Sequence, residues 1–87
     1  MASYRLLFKR SAEKELRKIT PRELRRVVSA VQTLAQAPRP PGAKMLKGPE
    51  RYWRIRQGDY RIIYEIDDTA AQILIIKIGH RREVYEE

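Results

Sequence analysis

The chain has 87 residues, 43% of them hydrophobic, and a formal net charge of +8. A chain this short can build one hydrophobic core, so we expect a single domain over residues 1–87. The excess of positive charge predicts a polyanionic partner, because self-repulsion gives a purely structural domain no benefit. The absence of cysteine excludes disulfides and thiolate metal sites, and one histidine with few clustered carboxylates predicts neither a metal nor another cofactor.

No membrane or export segment is recognisable in the sequence. The first ten residues contain no long apolar run, and the longest run, Ile73 to Ile76, is far too short to cross a bilayer. The positive charges are spread over every segment rather than concentrated on one amphipathic helix, which argues against a membrane surface. We therefore expect a cytoplasmic protein.

The N-terminal half predicts a strand followed by two helices. Residues 3–9 alternate between apolar and polar, as in a strand against a core. Ser11 is expected to cap a short helix that extends to about residue 18. Thr20 and Glu23 have capping-box spacing around Pro21, which predicts a second helix to about residue 36. Its apolar stripe comprises Leu24, Val27, Val28, Val31, Leu34 and Ala35.

The C-terminal half predicts three strands. A proline-rich loop over residues 37–48 carries Lys44 and Lys47. Strands are expected over residues 52–57, 60–66 and 72–78, with Gly79 ending the sheet. The chain is thus an α+β protein of order β-α-α-β-β-β, with a helical hairpin on one face of a small, mainly antiparallel sheet.

The second and third of these segments predict a hairpin with a defined register. A two-residue turn at Gly58-Asp59 pairs Gln57 with Tyr60 and places Arg56 opposite Arg61. Side chains alternate along a strand, so two sets form. One contains Trp53, Ile55, Tyr60, Ile62, Tyr64 and Ile66, and the other contains Tyr52, Arg54, Arg56, Arg61, Ile63 and Glu65.

The first set is expected to face the core and the second to lie on the open face of the sheet. Like charges opposite each other destabilise a sheet, which suggests an anionic ligand beside Arg54, Arg56 and Arg61. A solvated basic face would look the same, with Glu65 ion-paired to a neighbouring arginine. The residues of the hairpin alone leave both interpretations open.

Several of these motifs are similar to those of one known family. The segment KMLKG, the hairpin YWRIR with GDYRIIYEI, and the terminal GHRREVY resemble the RelE toxins of bacterial and archaeal toxin–antitoxin pairs. The resemblance implies a small ribonuclease that cleaves messenger RNA in the ribosomal A site and thereby inhibits translation. It also implies an antitoxin partner similar to RelB, and an acidic one would suit the positive charge.

The resemblance also implies which residues act. Carried over by motif, the catalytic residues are Arg54, Arg56, Arg61, Arg81 and Tyr85. Lys44, Lys47 and Arg82 are expected to contact RNA, although solubility alone would also explain the two loop lysines. The best-studied members carry lysines at the positions of Arg54 and Arg56. Because arginine stays protonated, the identity of a general base is left open. His80 is the only side chain that titrates unaided near neutrality, but we expect it to be a surface residue without a role. Glu65 shares the basic face and could act as a base, although an ion pair with a neighbouring arginine is favoured.

Two other functions remain open on the sequence alone. The ParE branch of the same fold inhibits DNA gyrase by binding it, without catalysis. A plain RNA-binding module would show steep salt dependence and no cleaved product.

Overall fold

The computed structural model describes residues 3–80 and has two helices and five strands. In chain order the elements are β1 (Arg5–Phe8), α1 (Arg10–Leu16), α2 (Pro21–Leu34), β2 (Lys44–Met45), β3 (Trp53–Gln57), β4 (Tyr60–Asp67) and β5 (Gln72–His80). The α+β class and the placement of the helices against the sheet are confirmed. The order is also confirmed, apart from the added two-residue strand β2.

The strands form one sheet in the order β1-β5-β4-β3-β2. Three of the four pairings are antiparallel, whereas β1 runs parallel to β5, with Leu6 opposite Ile73. A parallel neighbour requires a long connection, and the two helices with the β3–β4 hairpin supply it. The expectation of a mainly antiparallel sheet is confirmed.

Two details of the helix starts differ from the prediction. The first helix begins at Arg10 with Lys9 at the N-cap, so the predicted Ser11 cap is wrong. The second helix begins at Pro21 after Thr20, as predicted, but the Thr20 side chain makes no capping hydrogen bond. The capping box is therefore wrong, and proline at the first helical position is the part of the signal that holds.

Both ends of the predicted sheet also require correction. Lys44 and Met45 were assigned to a loop, but they form β2 against β3. Gly79 does not end the sheet, because β5 continues to His80, which lies opposite Tyr60. The two extensions place Lys44 and Gly79 on strands beside the predicted arginines.

The core lies between the helices and the apolar face of the sheet. The hairpin contributes Ile55, Ile62 and Tyr64, as predicted, while α2 contributes Val27, Val31 and Leu34. A bulge in β5 shapes this face: Ile63 pairs with Lys77 but Tyr64 pairs with Ile75, so one extra residue lies between them. No helix among the described residues is long and apolar enough to span a membrane.

Candidate nucleic-acid interface

The β3–β4 hairpin has the predicted register. Gln57 lies opposite Tyr60, and Arg56 lies opposite Arg61 across the Gly58-Asp59 turn. Gly58 has a φ of 61°, in the left-handed region that favours glycine. The turn therefore sets which side chains share a face, and Arg54, Arg56 and Arg61 lie together on the face opposite the core. We call these three residues the arginine face.

The arginine face is less open than predicted. Arg56 is exposed, but Arg54 is only 4% exposed and Arg61 only 8%. Arg61 lies on the central strand β4, opposite Arg56 on β3 and Gly79 on β5. Arg54 lies on β3, opposite Lys44 on β2 and Ile63 on β4. An open, solvated face is therefore the wrong description of these two arginines.

A groove of about 510 Å³ borders Arg54 and Arg56. One wall is the edge of β3, and the other is the end of α2 with the proline-rich loop. Lys44 also lines the groove, and its position opposite Arg54 adds a cation to the arginine face. Sequence reasoning had placed Lys44 in a loop, because two residues are too few for a periodic pattern. The wall residues are Ala30, Thr33, Pro40, Pro41 and Gly42.

A buried tyrosine fixes the proline-rich loop above the sheet. The Tyr64 hydroxyl donates a hydrogen bond of 2.6 Å to the Pro38 carbonyl, and the Tyr64 side chain is fully buried. Burial raises the pKa of the Tyr64 phenol to about 12. Tyr64 therefore keeps its proton at neutral pH and holds the segment that leads to Pro40 and Pro41.

A second, exposed set of contacts fixes the same loop. Arg39 donates to Asp68 at 2.8 Å, and the Tyr4 hydroxyl donates to the same carboxylate at 2.6 Å. The Arg39 guanidinium also lies 5.4 Å from the centre of the Trp53 ring. The bonds from Arg39 and then Tyr4 lower the pKa of Asp68. The proline-rich loop is thereby joined to the N-terminal segment and to the β4–β5 turn.

One of the two candidate bases, His80, lies away from the arginine face. His80 pairs with Tyr60, so it belongs to the other face, where its ring packs edge-on against Tyr60 at 5.7 Å. Its Nε2 lies 3.9 Å from the Asp59 carboxylate. Glu65 is exposed, and no ion pair joins it to an arginine among the described residues, so that predicted pairing is wrong.

The remaining predicted site residues are Lys47, Arg81, Arg82 and Tyr85. Lys47 is exposed, beyond the end of β2, and does not line the groove. Arg81, Arg82 and Tyr85 lie outside the described residues. The described part of the site therefore comprises the arginine face, Lys44 and the walls of the groove.

Comparison with known proteins gives consistent matches. The family described as the ParE toxin of the type II toxin–antitoxin system parDE matches residues 6–85. Toxin RelG of Mycobacterium tuberculosis is 31% identical, covering 94% of this chain and 95% of RelG.

Two solved complexes contain chains of the same fold. One chain of the toxin–antitoxin complex RelBE2 of M. tuberculosis superimposes with a TM-score of 0.82 at 30% identity, covering 95% of this chain and 97% of that one. One chain of the archaeal RelE–RelB complex of Pyrococcus horikoshii superimposes with a TM-score of 0.82 at 26% identity, covering 94% of this chain and 99% of that one.

The fold and the site define a small basic α+β domain with a cationic groove at the β3 edge of its sheet. The ParE toxin family, the relative RelG and the toxin chain of RelBE2 all match over nearly the whole chain. The chain belongs to the RelE/ParE superfamily of toxins of type II toxin–antitoxin systems.

Proposed function

We propose that this toxin is a ribosome-dependent endoribonuclease that cleaves messenger RNA in the ribosomal A site and so inhibits translation. The single observation that carries the proposal is the arginine face, where Arg56 and Arg61 lie directly opposite each other beside Arg54 and Lys44. Two like charges at opposed positions on a sheet destabilise it by a few tenths to about 1 kcal/mol. A phosphate bound here would be attracted by both guanidiniums, and arginine can bind phosphate oxygens through two parallel hydrogen bonds.

The chemistry of this cleavage suits guanidinium groups. The 2′-hydroxyl of one nucleotide attacks the adjacent phosphorus, the bond to the 5′-oxygen breaks, and a cyclic phosphate and a free 5′-hydroxyl result. Negative charge grows on the phosphate oxygens during attack, and arginine can grip two such oxygens at once. Partial burial strengthens this interaction, because the surrounding dielectric is lower than that of water.

We assign the roles by position. Arg61 and Arg56 stabilise the phosphate, and Arg54 with Lys44 holds the attacking nucleotide against the groove. By the motif, Arg81 stabilises the leaving group or the phosphate, and Tyr85 stacks on a base or orients the sugar. Lys47 and Arg82 contact RNA outside the reacting bond.

No residue is assigned as the general base. His80 lies on the other face of the sheet, and Glu65 lies four residues beyond Arg61 on β4. Catalysis then rests mainly on positioning and on phosphate stabilisation. Positioning alone can lower a barrier by several kcal/mol, which suits a reaction that proceeds only when the ribosome holds the message.

Primer extension on a defined message held on purified ribosomes tests the proposal. A new stop inside the A-site codon is expected, and it should vanish when ribosomes are omitted. Arg61→Ala should lower cleavage on the order of 100-fold, as for the loss of one preorganised charge stabiliser.

Two variants control for this experiment. Arg5→Ala removes an exposed arginine from β1, outside the groove, and should leave cleavage unchanged. Because Arg61 is buried, Arg61→Lys is measured as well: it keeps the charge but loses the bidentate fork, so intermediate activity is expected. Full cleavage by Arg61→Ala would refute the assignment.

Inhibition of DNA gyrase is the second candidate function, and the match to the ParE toxin family favours it. A gyrase inhibitor would induce DNA damage signalling while translation continues. Supercoiling by purified gyrase in the presence of this protein separates the two functions, because an endoribonuclease leaves supercoiling unaffected.

An antitoxin partner is part of either function. The matched M. tuberculosis and P. horikoshii chains were both solved in complexes with an antitoxin. We propose a RelB-like, acidic partner for this chain, acting with it in the cytoplasm. Expression of the toxin alone should arrest growth, and co-expression of the neighbouring reading frame should restore it. Harmless expression of the folded chain would contradict both toxin functions.

A further inference from the structure

The bulge in β5 determines the face on which Lys77 lies. Ile75 belongs to the core, and strict alternation would turn Lys77, two residues further on, toward the core as well. Because the bulge adds Ile76 as an extra residue, Lys77 instead pairs with Ile63, and Ile78 returns to the core. Ile63 alternates to the same face as the arginines of the hairpin. Lys77 therefore lies on the same side of the sheet as the arginine face.

Lys77 completes a row of side chains that crosses four strands. The paired positions are Lys44 on β2, Arg54 on β3, Ile63 on β4 and Lys77 on β5. Neighbouring strands are about 4.8 Å apart, so the backbone positions of Lys44 and Lys77 are roughly 14 Å from each other. The row thus has a lysine at each end, on either side of the arginine face.

Lys77 is also a diagonal neighbour of Arg61. Arg61 pairs with Gly79, which comes two residues after Lys77 on β5. Diagonal neighbours on antiparallel strands are about 7–8 Å apart, within reach of a long side chain. Gly79 has no side chain, so this position adds none beside the two cations. A phosphate bound at Arg61 would have Arg56 on its β3 side and Lys77 on its β5 side.

No partner within residues 3–80 accounts for the charge of Lys77. Its side chain is exposed, and no ion pair joins it to a carboxylate in that range, including Glu65 on the same face. Like charges on neighbouring strands destabilise a sheet. A further cation beside Arg54 and Arg61 therefore favours an anionic ligand that extends across the strands.

Lys77 also lies beside a groove through which a bound strand can leave the sheet. β5 continues past Phe8, the last residue of β1, and a groove of about 310 Å³ borders β5 there. Lys9 and Lys77 both line this groove, and Glu15, which lines it too, lies 3.5 Å from Lys18. The groove gives an extended polyanion room on the far side of Lys77.

We propose that Lys77 binds the phosphate that follows the scissile one on its 3′ side, so that a single strand of RNA crosses the sheet from β2 to β5. The assignment rests on the proposed function, in which Arg61 and Arg56 bind the scissile phosphate and Arg54 with Lys44 holds the attacking nucleotide. The attacking nucleotide lies on the 5′ side of the bond, because its 2′-hydroxyl attacks. The leaving nucleotide then continues toward β5, where Lys77 is the only lysine or arginine of the strand.

A cycle of changes in the protein and in the RNA tests this contact. A 5′-labelled synthetic message is held on purified ribosomes, with the phosphate 3′ of the scissile one replaced by a neutral methylphosphonate. Gel electrophoresis of the labelled fragment gives kcat and KM. On the natural message at ~0.1 M salt, Lys77→Gln should raise KM about 5-fold, the contribution of one phosphate contact to a single strand, and leave kcat unchanged. The methylphosphonate should lower kcat/KM of the wild type, and Lys77→Gln should lose nothing further on that message.

Arg5→Gln is the matched control in the protein. It removes one positive charge from an exposed position on the same side of the sheet, and the β5 partner of Arg5, Gln72, comes five residues before Lys77. Its KM should change far less. Lys77→Arg keeps the charge and should stay near the wild type. The matched control in the RNA is a methylphosphonate on the 5′ side of the attacking nucleotide, where its effect and that of Lys77→Gln should add.

Three results would overturn the proposal. The first is an unchanged KM for Lys77→Gln, and the second is an equal loss in Arg5→Gln, which would assign the effect to net charge alone. The third is coupling of Lys77→Gln to the 5′ methylphosphonate instead of the 3′ one, which would reverse the direction of the strand.

A binding measurement separates this contact from the proposed cleavage. An RNA oligonucleotide with 2′-O-methyl groups throughout cannot be cleaved, and its binding to the full chain without ribosomes is followed by fluorescence anisotropy. Lys77→Gln should reduce the slope of log affinity against log salt by about 0.7, whereas Arg5→Gln should change it far less. If the protein cleaves no message at all, this slope still decides whether Lys77 contacts a phosphate, and an unchanged slope would refute the contact.

Discussion

Replacing Tyr64 with phenylalanine should destabilise the protein through a single buried hydrogen bond. The Tyr64 hydroxyl and the Pro38 carbonyl are 2.6 Å apart, and the Tyr64 side chain is fully buried. Phenylalanine keeps the ring and its packing against the core, so the variant isolates the bond. The Pro38 carbonyl is left without the donor that satisfies it in the native protein.

The expected loss is about 1–3 kcal/mol, the range for a buried polar group deprived of its partner. For a chain of this size, a loss of 1 kcal/mol lowers Tm by roughly 4–8 °C. Urea unfolding followed by circular dichroism measures the loss directly, and an unchanged m-value would show that the unfolded state is not altered.

Tyr4→Phe is the matched control. The Tyr4 hydroxyl makes a bond of the same 2.6 Å length to Asp68, but that bond is exposed. Water can satisfy the Asp68 carboxylate after the change, so the expected loss is smaller than that of Tyr64→Phe. Equal losses in the two variants would refute the argument that burial sets the size of the effect.

Three further predictions concern the turn, the acid limit and the alkaline limit. Gly58→Ala should destabilise the hairpin by about 1–2 kcal/mol, because its φ of 61° is strained for a residue with a Cβ. Gly58→Asn should lose less in urea unfolding, since asparagine tolerates this region. The hydrogen bond from Arg39 lowers the pKa of the Asp68 carboxyl in the folded protein. The stability from this contact is therefore complete above the pKa of that carboxyl in the unfolded chain, near 4, and is lost as the pH falls through its pKa in the folded protein. Wild type and Asp68→Asn should therefore differ in stability at pH 6 and converge in strong acid, and a constant difference would contradict the assignment. Burial raises the pKa of the Tyr64 phenol to about 12. The contribution of the protonated phenol to stability is therefore complete below about pH 10 and is lost as the pH rises through about 12. Ultraviolet titration of the folded protein should show a late-titrating phenol that is missing in Tyr64→Phe.

The features that the sequence predicted correctly are local. The Gly58-Asp59 turn joins two strands whose side chains alternate, so counting outward from the turn places Arg56 opposite Arg61. The α2 helix is similarly local, because its start at Pro21 and its stripe of Val27, Val31 and Leu34 lie within one continuous segment. The resemblance of the hairpin and the tail to RelE toxins led to the superfamily, which the comparisons confirm.

The features that the sequence did not predict depend on contacts between distant segments. Lys44 pairs with Arg54 only because the proline-rich loop returns to the sheet. Arg39 and Tyr4 meet at Asp68 across most of the chain.

Residue patterns and a turn were thus enough to determine which side chains of the hairpin share a face. Only the tertiary structure determined that Arg54 and Arg61 are buried and that His80 lies on the opposite face. Alternation sets the direction of a side chain relative to its own strand. Burial depends on the neighbouring strands and on the loops that pack over them.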